Sequence, residues 1–128
     1  MVLDFGTNDL DSATADPQRL AHQLLSLVAK WSHKSSISVA LFCPVLPRGP
    51  GRFAVRSPAF EANRILFNHM LLSACNQKLH HSTFYVLQHS RLQNVLSLLM
   101  DGVHLNQSGL KKYYFSLRRA ILRAKALM

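Results

Sequence analysis

At 128 residues the chain is one domain by size, or a large piece of one. Its 48% apolar content is ample for a buried core and argues against wholesale disorder, and no apolar run reaches the ~20 residues that span a bilayer. The formal charge of +9 and a pI near 10.3 favour contact with phosphates or anionic surfaces without saying which.

Val2 to Phe5 is a short apolar run ended by Gly6, read as a buried strand. Asp16-Pro17 is a strong helix start, an acidic N-cap followed by proline where its missing N–H costs nothing. Leu20, Leu24, Leu27 and Val28 follow at helical spacing, and Trp31 closes the helix. Ile37 to Leu46 is a second strand, β-branched and apolar, with Pro44 marking its last rungs. The proline and glycine of PRGPGRF predict a loop. Ser57-Pro58 repeats the cap-plus-proline pattern and predicts a helix through Ile65, Leu66, Met70 and Leu72 to about Leu79. Thr83 to Leu87 is a third strand, Leu92 to Leu99 a short helix, and Ser108 to about Lys125 the last helix.

Strands alternating with helices imply parallel strands joined by right-handed crossovers, hence a doubly wound α/β sheet. Cys43 and Cys75 sit in apolar surroundings with no C-x-x-C spacing, as reduced thiols of an intracellular, cytoplasmic protein would. No Cys/His spacing for zinc is present around His69, Cys75, His80 and His81, and Cys43 is too enclosed by its strand to serve as a nucleophile.

In open parallel sheets ligands bind at the carboxyl ends of the strands. Gly6-Thr7-Asn8-Asp9 follows the first strand and Asp101-Gly-Val-His104 follows the third, so both fall on one rim. The i, i+3 spacing of Asp101 and His104 lets the carboxylate hold Nδ1–H and leaves Nε2 to act as a base. An asparagine amide at a strand end is a donor suited to an oxyanion. The structural alternatives are a polar turn capping a strand for Asn8 and Asp9, and a helix-capping loop for Asp101 and His104.

VLDFGTNDL resembles the third conserved block of the SGNH (GDSL-type) hydrolase superfamily, Gly-x-Asn-Asp. DGVHLNQSG resembles its fifth block, Asp-x-x-His, with the helix that follows. The middle segment EANRILFNHMLLSAC, between LPR and DGVHLN, is also similar to esterase-like domains carried by LINE-type retroelement reading frames. The resemblance implies a flavodoxin-like three-layer α/β fold, here a partial domain over 1–128 with about three parallel strands. It implies ester hydrolysis or deacetylation through a serine acyl-enzyme, with no cofactor and no metal. Asn8 would then be an oxyanion donor, His104 the base and Asp101 its orienting partner; Gly6 would make the tight turn and Asp9 would hold the loop.

The sequence departs from that family at the nucleophile. The Gly-Asp-Ser block and the second oxyanion glycine would precede GTND by two βα units, about 60 residues, and neither occurs here. The chain is therefore expected to lack serine-dependent hydrolysis alone and to take an ester substrate only if completed upstream. Its first strand is expected at an unpaired edge, open to self-association. The rival expectation is a non-catalytic module that contacts nucleic acid or a protein through the last helix. There Leu110, Tyr113, Leu117, Ile121 and Ala124 form the expected apolar stripe, opposite Lys111, Lys112, Arg118, Arg119, Arg123 and Lys125. No aromatic interleaving supports base stacking, and no known nucleic-acid motif is present.

Overall fold

The computed structural model describes residues 1–4, 6–49, 57–79, 82–89, 92 and 95–126. Expectations for Phe5, for the loop beyond Gly49 and for His80-His81 lie outside those residues. The elements run β1 (Val2–Leu3), α1 (Thr7–Leu10), α2 (Pro17–Lys34), β2 (Val39–Phe42), α3 (Phe60–Ser73), β3 (Lys78–Leu79), β4 (Ser82–Val86), a 3-10 turn (Val95–Leu98) and α4 (Gln107–Ala126). Together they form an α/β fold on an open, mostly parallel sheet of order β1-β2-β4-β3.

β1 pairs parallel with β2, and β2 with β4, in the register Val2 to Leu41 and Ala40 to Phe84. All four residues of β2 are buried, as a central parallel strand covered on both faces requires. Its side chains alternate. Ala40 and Phe42 enter the larger core with Leu24 and Val28 of α2, Phe67 and Leu71 of α3, and Phe84. Leu41 and Cys43 face the other way, onto Tyr113, Leu117, Ala120 and Ile121 of α4. Phe42 and Phe67 meet edge-on at 5.8 Å, worth roughly 1 kcal/mol beyond the area they bury.

The α2 start is as expected, with Pro17 at the first helical position and the Asp16 carboxylate accepting from Arg19 N–H at 3.1 Å. The α3 start differs. Ser57 makes a turn before the helix rather than its cap: its carbonyl accepts from Phe60 N–H and its hydroxyl from Ala59 N–H, and the helix begins at Phe60. The helix also stops at Ser73 rather than near Leu79. Asn76 adopts a left-handed φ of 69°, and its N–H bonds to Phe84 O at 2.7 Å. That turn converts Lys78–Leu79 into β3, an antiparallel strand against β4 absent from the sequence reading.

On α4 the expected stripe is corrected at one position. Leu110 is 57% exposed, and Ser116 and Ala120 turn inward with Tyr113, Leu117 and Ile121. Asn106 caps this helix, its carboxamide oxygen accepting from Gly109 N–H at 2.9 Å. A Cβ on Gly109 would stand 2.8 Å from Leu98 O and 3.1 Å from Leu98 Cβ. Gly109→Ala is therefore expected to destabilise by about 1–2 kcal/mol, overpacking outweighing the roughly 1 kcal/mol gain in helix propensity. Urea denaturation would show it as a lower midpoint at unchanged slope.

β1 lies at the edge of the sheet, paired only with β2 among the described residues, and Val2 is 44% exposed. No helix among the described residues is long and apolar enough to cross a membrane.

Candidate active site

The chain leaves β1 through Gly6, whose φ of 112° lies in the region that favours glycine. A side chain there would also press on Phe67 Cε1 at 3.4 Å and Val45 Cγ2 at 3.5 Å. Gly6 thus makes the tight turn, and its carbonyl accepts from Leu10 N–H to close α1. Asn8 and Asp9 sit exposed on that short helix at the rim.

The tie that holds this turn was not visible in the sequence. Arg48, beyond the end of β2, reaches across the rim: Nη1 bonds the Asp11 carboxylate, and Nη2 donates to Asn8 Oδ1 at 3.0 Å and Thr7 O at 3.3 Å. The guanidinium also lies over the Phe60 ring, 4.9 Å from its centroid. Both charged side chains are nearly enclosed, 7% exposed for Arg48 and 4% for Asp11. Asp11 takes a further hydrogen bond from Ser57 N–H at 2.7 Å. Among the described residues Asp9 makes no hydrogen bond or ion pair of this kind, and it is Asp11, two residues on, that fastens the loop.

The Arg48 bond has a chemical consequence. A guanidinium donates only, so it fixes Asn8 Oδ1 as the acceptor and directs the Nδ2 donors elsewhere. Asn68 of α3 secures the strand that carries Arg48, accepting from Val45 N–H at 3.0 Å and donating to Val45 O at 2.9 Å.

After β4 the chain returns to the same rim. Asp101 Oδ1 accepts from the N–H groups of Val103 at 3.0 Å and His104 at 2.7 Å, while Oδ2 meets His104 Nδ1 at 2.6 Å. One carboxylate therefore shapes the turn and orients the ring. The backbone N–H of His104 is the main cause that holds the Asp101 carboxyl down at about 2, acting against desolvation, with the ring and Val103 N–H adding to it. What this ionisation contributes is present above the ordinary value of 3.8 and is lost only as pH falls through about 2. His104 is 61% exposed, and Nδ1 bound to the carboxylate makes Nε2 the nitrogen that would take a proton.

Gly49 joins the two loops. Its N–H donates to Gly102 O at 2.8 Å, and Gly102 has a φ of 88° between Asp101 and His104. Adjacent residues Arg48 and Gly49 thus hold Asn8 on one side and the Asp101–His104 turn on the other.

A second group of polar side chains lies under α4. Tyr113 Oη donates to Asp4 Oδ2 at 2.5 Å, and its ring lies 4.8 Å from that of His89. Burial pushes the Cys43 thiol up and, with Asp4 and Cys43 alongside, the Tyr113 hydroxyl well above its usual range. Cys43 is 1% exposed, as its place in the strand implied. Among the described residues neither ring nitrogen of His89 finds a hydrogen-bond partner, and burial lowers its pKa against the opposing charge of Asp4. A histidine kept neutral by the fold but protonated near 6.5 when unfolded makes stability fall as pH drops below that value. His89→Phe is expected to remove this acid-side loss and to add about 1 kcal/mol at pH 7. Thermal melts of both proteins between pH 5 and pH 8 would check it.

The bases named on α4 are placed in two groups. Arg118, Arg119 and Arg123 line a groove between the helix and β4, whereas Lys111 and Lys112 are not part of its lining. Phe115, one helical turn before Arg118 and Arg119, lines the same groove, and Tyr85 joins it from β4, a spatial neighbour the sequence pattern cannot reveal.

No family model, no curated protein and no solved structure matches the chain.

Proposed function

We propose that this chain carries the histidine and oxyanion side of an SGNH-type ester hydrolase site. His104 is the general base, Asp101 holds it in the Nδ1–H tautomer, and Asn8 Nδ2–H stabilises the tetrahedral oxyanion. The nucleophilic serine belongs to a Gly-Asp-Ser turn that these 128 residues do not contain. Its strand would add to the unpaired edge of β1, beside the Gly6 turn.

The observation that carries the reading is the Arg48-Gly49 bridge, which bonds Asn8 and the Asp101–His104 turn through consecutive residues at one rim. In the reaction, serine Oγ attacks the ester carbonyl and its proton passes to His104 Nε2. The oxyanion collapses, the alcohol leaves with that proton, and water attacks the acyl-enzyme by the same route.

The test is to read the coding sequence upstream of Met1 and to express the chain with and without any Gly-Asp-Ser segment found there. The extended protein is expected to hydrolyse an acetyl ester and to react with a fluorophosphonate; the 128-residue chain is expected to do neither. A folded extended protein with no turnover would refute the hydrolase reading. Fluorophosphonate labelling of a serine within 1–128, lost in His104→Ala, would overturn the placement of the nucleophile.

A further inference from the structure

The groove between α4 and β4 has a volume of about 930 Å³. Its helical wall presents Arg118, Arg119 and Arg123, all exposed, and among the described residues no carboxylate side chain lines it. Among the described residues none of the three arginines has an ion-pair partner. Phe115, 41% exposed, lies at the same wall, and Tyr85 lines the facing sheet. Ser116, 7% exposed, also lines the groove.

We propose that this groove binds single-stranded nucleic acid, with backbone phosphates on Arg118, Arg119 and Arg123 and a base stacked on Phe115 or Tyr85. Guanidinium groups match phosphate oxygens in pairs. Arg119 and Arg123 are one helical turn apart, so they can follow a strand lying along the helix. Bases of a single strand expose their faces to aromatic rings, whereas those of a duplex are stacked on each other. A polyanion without bases would use the arginines alone. A protein partner would bring carboxylates to the same arginines but would leave the two aromatic side chains of the groove without a role. The site lies on α4 and β4, apart from the Asn8 and His104 loops, and does not depend on the hydrolase reading.

Fluorescence anisotropy with labelled 12-nucleotide oligouridylate, the matching oligothymidylate, a duplex of the same length and inorganic polyphosphate tests the site. Both single strands are expected to bind more tightly than the duplex, and the tighter of the two assigns the preferred sugar. Three phosphate contacts predict a slope of about −2 in log affinity against log salt. Replacing Arg118, Arg119 and Arg123 together by glutamine should remove binding to both strands and to polyphosphate. Phe115→Leu should weaken single-strand binding roughly tenfold and leave polyphosphate binding unchanged. Lys111→Gln with Lys112→Gln should cost less than the arginine substitutions. The proposal is overturned if the duplex binds as tightly as the single strands, if Phe115→Leu has no effect or weakens polyphosphate equally, or if the lysine pair matters as much as the arginines. Circular dichroism melts of each variant separate loss of binding from loss of fold.

Discussion

Arg48→Met is expected to destabilise the protein by about 3–5 kcal/mol, the largest loss anticipated for a polar side chain here. The reason is not the strength of the Arg48–Asp11 attraction. Both side chains are almost fully enclosed, so removing the guanidinium takes a charged partner from a carboxylate held away from bulk water. The same substitution strips Asn8 Oδ1 and Thr7 O of their donor and removes the cation from the Phe60 face. Pairing it with Asp11→Leu should recover much of the loss, because an apolar pair of similar volume avoids enclosing a carboxylate that has lost a charged partner. Recovery should be incomplete, since Ser57 N–H then loses its acceptor. A double-mutant cycle in urea reads both quantities. A loss below about 1 kcal/mol for Arg48→Met would place the pair among solvent-screened surface bridges and contradict its role as the fastening of the rim.

In the protein extended to its serine, His104→Ala is expected to lower kcat for an acetyl ester about 10⁴-fold or more, and Asn8→Ala about 10²–10³-fold. Asp101→Asn should approach the histidine effect, because the asparagine cannot hold the ring as the carboxylate does. The loss should appear in kcat more than in KM, since each group acts on charge or protons that develop in the transition state. Stability offers a second axis. His104 is 61% exposed, so His104→Ala should shift the unfolding midpoint little, whereas Arg48→Met should lower both stability and turnover. Activity that survives His104→Ala within tenfold would remove the histidine from the mechanism.

These two expectations differ in how far the sequence foretold them. Asp101 and His104 are three apart, so their contact is local and the loop between them sets it. Gly6 and Asn8 follow directly from a strand ending in glycine. Arg48 is 40 residues from Asn8, and nothing in its neighbours distinguishes it from any base in a proline-rich loop. Asp11 is one of four aspartates among the first 16 residues, so neither position singles out a pair without the third dimension. The same holds for Asn68, which no local pattern singles out and which clasps Val45.

What the sequence by itself determined is what short-range chemistry controls. Asp16-Pro17 starts α2 because capping and a missing N–H act within one turn. The all-apolar run of β2 declares a central strand, and the alternation of such strands with helices declares the parallel α/β arrangement. The tertiary structure alone decided where local preference was outweighed or silent. A left-handed Asn76 and the edge of β4 turned the expected end of a helix into β3. Burial chose Arg48 and Asp11 as partners, because an enclosed charge must find its opposite wherever the fold brings one. Helix spacing alone puts Phe115 near Arg118 and Arg119, but packing of α4 across the sheet brought Tyr85 to the same groove, a neighbour visible only once the chain had closed on itself.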